Sequence, residues 1–154
     1  MRGMTQESKK MGFSREILDA IPHRQPFIMV DRVLEVVPGK RATAIKIITT
    51  DPLSSGWGSG RYYPEAFILE AMAQVGALAA AAPAAPIDGK EGPVYGFLAA
   101  ISDARFLKRP EAGDTVFLEL EYQAGMGGLV RFKATAKIEG QVAAESVLTF
   151  TLPS

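Results

Sequence analysis

The chain has 154 residues, 47% hydrophobic and 22% charged, enough for one domain with a packed core and too apolar for extensive disorder. Lys+Arg and Asp+Glu are equal at 17 each, so no general basic excess invites nucleic acid. The absence of cysteine excludes disulfides, thiolate catalysis and cysteine-ligated metals, and fits a reducing compartment.

In chain order, residues 1–12 are polar and lack the apolar run of a signal peptide, which reads as a disordered tail and a cytoplasmic location. Ser14 can cap a short helix over Arg15 to Ala20. Phe27 to Val37 is apolar and β-branched enough for a strand, Pro38-Gly39-Lys40 is a turn, and Ala42 to Thr50 is the hairpin partner. Asp51 to Tyr63 is rich in glycine and serine and reads as a loop able to approach a ligand closely.

Pro64 opens the one long helix, because its missing N–H would be unpaired at that position anyway. From Ala66 to Ala82 the helix is apolar nearly all round, so it should be wrapped by protein rather than lie on a surface. The stretch contains Glu70 and Gln74 and falls short of the ~20 residues a membrane helix needs. No membrane partner is expected. Pro83 and Pro86 end the helix.

The second half reads as strands only: Val94 to Phe106, Thr115 to Gln123, Leu129 to Ile138 and Ala143 to Leu152. Turns at Glu111-Ala112-Gly113-Asp114, Gly125-Met126-Gly127-Gly128 and Glu139-Gly140-Gln141 separate them. Val116, Leu118, Leu120 and Tyr122 alternate with Phe117, Glu119 and Glu121, the pattern of a half-buried antiparallel strand. The class is α+β: a curved antiparallel β-sheet wrapped around one long central helix.

Three blocks, in order, resemble one family. Ile21-Pro22-His23-Arg24-Gln25-Pro26-Phe27-Ile28-Met29-Val30-Asp31-Arg32-Val33 resembles the opening signature of the β-hydroxyacyl-acyl-carrier-protein dehydratases. Ile68 to Gln74 resembles their catalytic helix. Ser102 to Phe106, with Lys108-Arg109-Pro110 and Gly113-Asp114, resembles their basic strand and turn. The resemblance covers roughly residues 20 to 152. It implies a hot-dog fold over a single domain, 13–154, and a homodimer, often assembled as a trimer of dimers. The implied substrates are acyl chains on phosphopantetheine, presented by acyl carrier protein or coenzyme A, with no other cofactor.

Family members remove water from a 3-hydroxyacyl thioester. A histidine of one subunit and a carboxylate on the helix of the other move the protons, and N–H groups at the helix start receive charge on the thioester oxygen. Carried over, these roles put the catalytic acid at Glu70 and the backbone donors at Glu65 and Ala66. The family's histidine falls on Gly56, the glycine after the helix proline on Glu65, and a strand glycine on Ala100. His23 is the only histidine. Pro22 and Pro26 place it in a turn remote in sequence from Glu70, and it reads as structural, as do Arg24, Asp31 and Arg32.

Tyr62 and Tyr63 are the candidates to donate a hydrogen bond in place of the missing histidine, and space filling is the competing reading. Trp57, Phe67, Gln74, Phe97, Leu98 and Ala100 are expected along an acyl tunnel. Gln74 lies one turn from Glu70 on the same helix face and could instead satisfy its carboxylate. Arg105, Lys108 and Arg109 would meet an acidic carrier protein or form a solvated surface. No His/Cys cluster, phosphate loop or dinucleotide glycine pattern marks a metal or nucleotide.

Three functions stay open. The first is a (3R)-hydroxyacyl-[acyl-carrier-protein] dehydratase of fatty-acid-type biosynthesis, with Glu70 working alone or with a tyrosine. Loss of a positioned base typically costs about 10²–10⁴-fold, so this hydro-lyase would be weak unless something substitutes. The second is a hot-dog thioesterase in which Glu70 activates water. The third is a non-catalytic acyl-thioester binder or partner subunit of a competent dehydratase.

Overall fold

The computed structural model describes residues 21–50, 62–80 and 96–152. Within them the chain forms β1 (Arg32–Val37), β2 (Arg41–Ile47), α1 (Glu65–Ala80), β3 (Phe97–Phe106), β4 (Thr115–Met126), β5 (Leu129–Ile138) and β6 (Gln141–Thr151). The strands make one antiparallel six-stranded sheet in the order β1-β2-β4-β5-β6-β3. With α1 laid against it, this is the expected hot-dog architecture. The expected helix near residues 15–20, the loop over 51–61 and the prolines after the helix lie outside the described residues.

Alternation decides which face of the sheet meets the helix. Val116, Leu118 and Leu120 of β4, Phe132, Ala134, Ala136 and Ile138 of β5, and Ser146, Leu148 and Phe150 of β6 are buried, every second residue as a pleated strand demands. Alanines recur on this face, with Ala42 and Ala44 of β2 also fully buried, and they let the helix lie close. Gly76 completes the fit. A Cβ there would stand 2.4 Å from Phe150 Cζ and 2.8 Å from Leu120 Cδ2, so α1 reaches this depth because that position has no side chain.

One end of α1 is tied to the β1–β2 hairpin. At the C-terminal end the N–H of Gly39, in the β1–β2 turn, donates to Ala79 O at 2.8 Å. This satisfies a carbonyl the helix cannot pair itself. Gly39 takes φ 71°, a conformation glycine adopts without steric cost. From Ala71 to Ala80 every helix residue is buried, as the all-round apolar pattern implies.

Several boundaries depart from expectation: β2 ends at Ile47 rather than Thr50, and β6 begins at Gln141, read as turn. The first strand begins at Arg32 rather than Phe27, because the backbone before it bonds elsewhere: Phe27 N–H closes a turn on Arg24 O at 2.8 Å, and Met29 N–H donates to the side chain of Gln74 at 2.9 Å. β4 runs on to Met126, through glycine expected to turn, because Gly125 and Met126 still pair with Val130 and Leu129. The turn narrows to Gly127-Gly128, both at positive φ.

β3 is one of the two edge strands, opposite β1, and all ten of its residues are exposed. Bulges between Leu98 and Ala100 and between Ser102 and Arg105 interrupt its pairing with β6. Asp103, at φ 52°, sits in the second bulge. Buried Ser146 donates to Ser102 O at 2.9 Å and staples the bulge to β6.

Candidate active site

The site is built on the first two turns of α1, the only part of the helix that reaches the surface. Tyr63 N–H donates to Pro110 O at 2.7 Å, and Phe67 N–H to Pro64 O at 3.0 Å. Helix geometry leaves the N–H groups of Glu65 and Ala66 without intrahelical partners, and Ala66 is exposed. Anionic Glu65 suits this positive helix end, and its Oε1 accepts from Arg109 Nε at 3.0 Å. The Arg109 guanidinium also lies 5.8 Å from the Tyr62 ring centre.

One turn further along, three polar side chains meet. Gln74 is 1% exposed, and a buried amide must be satisfied or it destabilises the core. Its Oε1 accepts from Met29 N–H at 2.9 Å. Its Nε2 donates to Phe27 O at 2.7 Å and to Glu70 Oε1 at 3.0 Å. The same Oε1 of Glu70 lies 3.2 Å from Nε2 of His23. No bond from the described residues reaches the other carboxylate oxygen, Oε2.

The expectation that His23 stands apart from Glu70 is therefore corrected. Distance in sequence misled, because Gln74 draws the backbone of residues 27–29 across the helix. Fully buried Ile21 anchors the other side of the turn, and Arg24 Nη1 donates to the carbonyls of Ile21 and His23 at 3.0 and 2.7 Å. The imidazole is thereby laid over Glu70 of its own chain. The side chains of His23 and Glu70 keep 33% and 40% exposure, so the pair opens to the surface. His23 Nδ1, by contrast, is buried and has no hydrogen-bond partner among the described residues.

Over residues 15–154 the sequence matches the ApeP-like family model, described as ApeP dehydratase. The chain belongs to the ApeP-like dehydratase family. Two curated relatives agree. The 3-hydroxyacyl-[acyl-carrier-protein] dehydratase FabZ of Burkholderia thailandensis is 38% identical over 99% of this chain and 96% of its own length. That of Sodalis glossinidius is 41% identical over 85% and 86%. Among solved structures, the dehydratase heterocomplex ApeI:P from Xenorhabdus doucetiae superposes with a TM-score of 0.70 over 90% of this chain and 91% of that one. At 18% identity that match speaks to the hot-dog fold alone. The chain's function is dehydratase-like processing of an acyl thioester.

In this ApeP-like chain the other expected site residues fall as follows. Gly56 and Trp57 lie outside the described residues. Tyr63 is 7% exposed, and its hydroxyl donates to Met29 Sδ at 3.3 Å. Its ring meets Phe67 edge-on at 5.6 Å. Tyr62 bridges to Glu111 beneath Arg109. Gln74, expected along a tunnel wall, is a clamp whose amide is fully engaged with protein.

Phe97, Leu98 and Ala100 stand exposed on edge strand β3. Arg105 pairs with Glu145 at 3.6 Å and Arg109 with Glu65, whereas Lys108 is simply exposed. Asp31 has a fold role, accepting from Ile47 N–H at 2.6 Å and facing Lys46 Nζ at 3.1 Å. Among the described residues no helix is long and apolar enough to cross a membrane.

Sequence reasoning missed His23 as the neighbour of Glu70. One signal was available: a glutamine inside a helix otherwise buried on every side must receive backbone from elsewhere in the chain, and the proline-flanked segment holding His23 lacks strand partners of its own.

Proposed function

We propose that the protein dehydrates a 3-hydroxyacyl thioester held on the phosphopantetheine arm of an acyl carrier protein, in fatty-acid-type chain building, with Glu70 carrying the proton. The observation behind this reading is the asymmetry of the Glu70 carboxylate: Oε1 meets Gln74 and His23, while no hydrogen bond from the described residues reaches Oε2.

In this mechanism Oε2 takes the proton α to the thioester carbonyl. The C2=C3 bond forms as the C3–O bond breaks, and the same carboxyl returns its proton to the departing hydroxyl. Water leaves, and Glu70 is a carboxylate again. Charge that builds on the thioester oxygen falls to the N–H groups of Glu65 and Ala66, aided by the helix dipole. His23 supports the carboxylate from its own chain, in place of a histidine at Gly56. The reaction needs no cofactor beyond the phosphopantetheine arm.

A second reading has its own support. A solved structure of the same fold is the dehydratase heterocomplex ApeI:P, and the exposed apolar residues Phe97, Leu98 and Ile101 of β3 suit pairing with another hot-dog chain. That chain is either a second copy, giving a homodimer, or a different subunit that brings its own histidine.

Mass spectrometry of 3-hydroxyacyl carrier-protein substrates incubated with the purified protein separates these readings. Loss of water that disappears with Glu70→Gln supports the dehydratase. Dehydration only after a second hot-dog chain is added supports the partner subunit, and free thiol with free acid means a thioesterase.

A further inference from the structure

We infer that Gln74 is a positioning residue that sets where the hydrogen sits on His23, holding it on Nε2. His23 is then a fixed donor to Glu70 rather than the base that takes the substrate proton. The inference rests on the dehydratase reading only for what Glu70 does next.

The reasoning starts at the backbone. Met29 N–H can only donate and Phe27 C=O can only accept, so they determine which end of the Gln74 amide faces each of them. Oε1 must point to Met29 and Nε2 to Phe27, as observed at 2.9 and 2.7 Å. An amide flip would bring donor against donor and acceptor against acceptor. With the amide locked, its second N–H donates to Glu70 Oε1 at 3.0 Å. That oxygen is thereby committed to accepting.

His23 Nε2 stands 3.2 Å from the committed acceptor. A bare lone pair on Nε2 would face a lone pair on Oε1, whereas a hydrogen on Nε2 turns the contact into an attraction. The other ring nitrogen fits the same assignment. Nδ1 is buried without a partner among the described residues, and an N–H there would be an orphaned donor. Covered on that side and committed on the other, the ring has no free nitrogen to present to a substrate. Proton transfer is left to Glu70 Oε2.

Because His23 is the only histidine, nitrogen-15 histidine labelling of the full chain yields a single ring to observe. Nuclear magnetic resonance then reads the hydrogen's position directly, with no need for turnover. In the neutral imidazole we expect hydrogen on Nε2 and a bare-nitrogen signal from Nδ1. Glu70→Gln should keep this pattern, because the locked Gln74 amide forces the new side chain to present its carbonyl oxygen. Glu70→Ala removes the acceptor and should give mixed tautomers. Gln74→Leu, combined with Glu70→Gln, should do the same.

Hydrogen on Nδ1 in the unmodified protein, or averaged tautomers there, overturns the inference whatever the variants do. So does a folded Gln74→Leu, Glu70→Gln protein with an unchanged Nε2 hydrogen. Absent dehydration alongside the expected spectra would sink the proposed reaction and leave the proton assignment standing.

Discussion

His23 Nε2 and Glu70 Oε1 lie 3.2 Å apart within one chain, so the imidazole missing from position 56 has a counterpart from further upstream in the sequence. Its role as a support rather than a base has a kinetic consequence. A hydrogen bond to a charged group is worth about 1.5–3 kcal/mol, so His23→Gln should lower kcat roughly 10- to 100-fold. Glu70→Gln should lower it by about 10²–10⁴-fold or abolish it. Equal losses in the two variants, measured as single-turnover rates, would show that His23 takes the proton itself.

Gln74 joins the helix to the segment that carries His23, and its removal should be felt as lost stability. Gln74→Ala leaves Met29 N–H and Phe27 C=O without their partner, and an unsatisfied buried group costs about 1–3 kcal/mol. A loss of about 2–4 kcal/mol in denaturant unfolding is expected. A change below 1 kcal/mol would mean that water replaces the amide at little cost.

At Gly76 two effects oppose each other. Alanine is the better helix former by about 1 kcal/mol, but its Cβ would meet Phe150 and Leu120 well inside contact distance, and overpacking costs about 1–3 kcal/mol. Packing should win, and thermal unfolding of Gly76→Ala should shift downward. Phe150→Leu in the same background should recover part of the loss. A raised Tm for the single variant would show that the sheet yields easily.

Arg109 and Lys108 are neighbours with different commitments, since Arg109 neutralises Glu65 beside the helix-start donors and Lys108 is exposed. Arg109→Gln should lower turnover of a short pantetheine thioester and of a carrier-borne one alike, because the freed Glu65 charge opposes charge on the thioester oxygen. Lys108→Glu should raise KM for the carrier-borne substrate only. An Arg109→Gln defect confined to the carrier-borne KM would return that residue to a docking role. Neither substitution should disturb stability by more than about 1 kcal/mol, as exposed pairs contribute little.

The exposed β3 edge predicts association. An unpaired edge strand with apolar side chains is a template for another strand. Ile101, 46% exposed, is well placed to disrupt it: Ile101→Lys should shift the particle to a smaller mass in light scattering. An unchanged mass would place the contact elsewhere.

Sequence alone determined the architecture, because periodicity is a local property. The two-residue alternation of β4, the unbroken apolar run of α1 and the proline that opens it lie in continuous stretches, and burial follows from them directly. Three blocks in a recognisable order also pointed to the family and made Glu70 the candidate residue. The partner of Glu70 was decided only in three dimensions. His23 reaches it because Gln74 binds the backbone at Phe27 and Met29, and no pattern within either segment records that pairing. Likewise Arg109, legible as a basic surface residue, became the counter-charge of Glu65 only once the 109–111 turn was laid across the helix start. Contacts between segments distant in the chain depend on closing the fold, which is why the core could be read from composition and spacing and the His23–Glu70 contact could not.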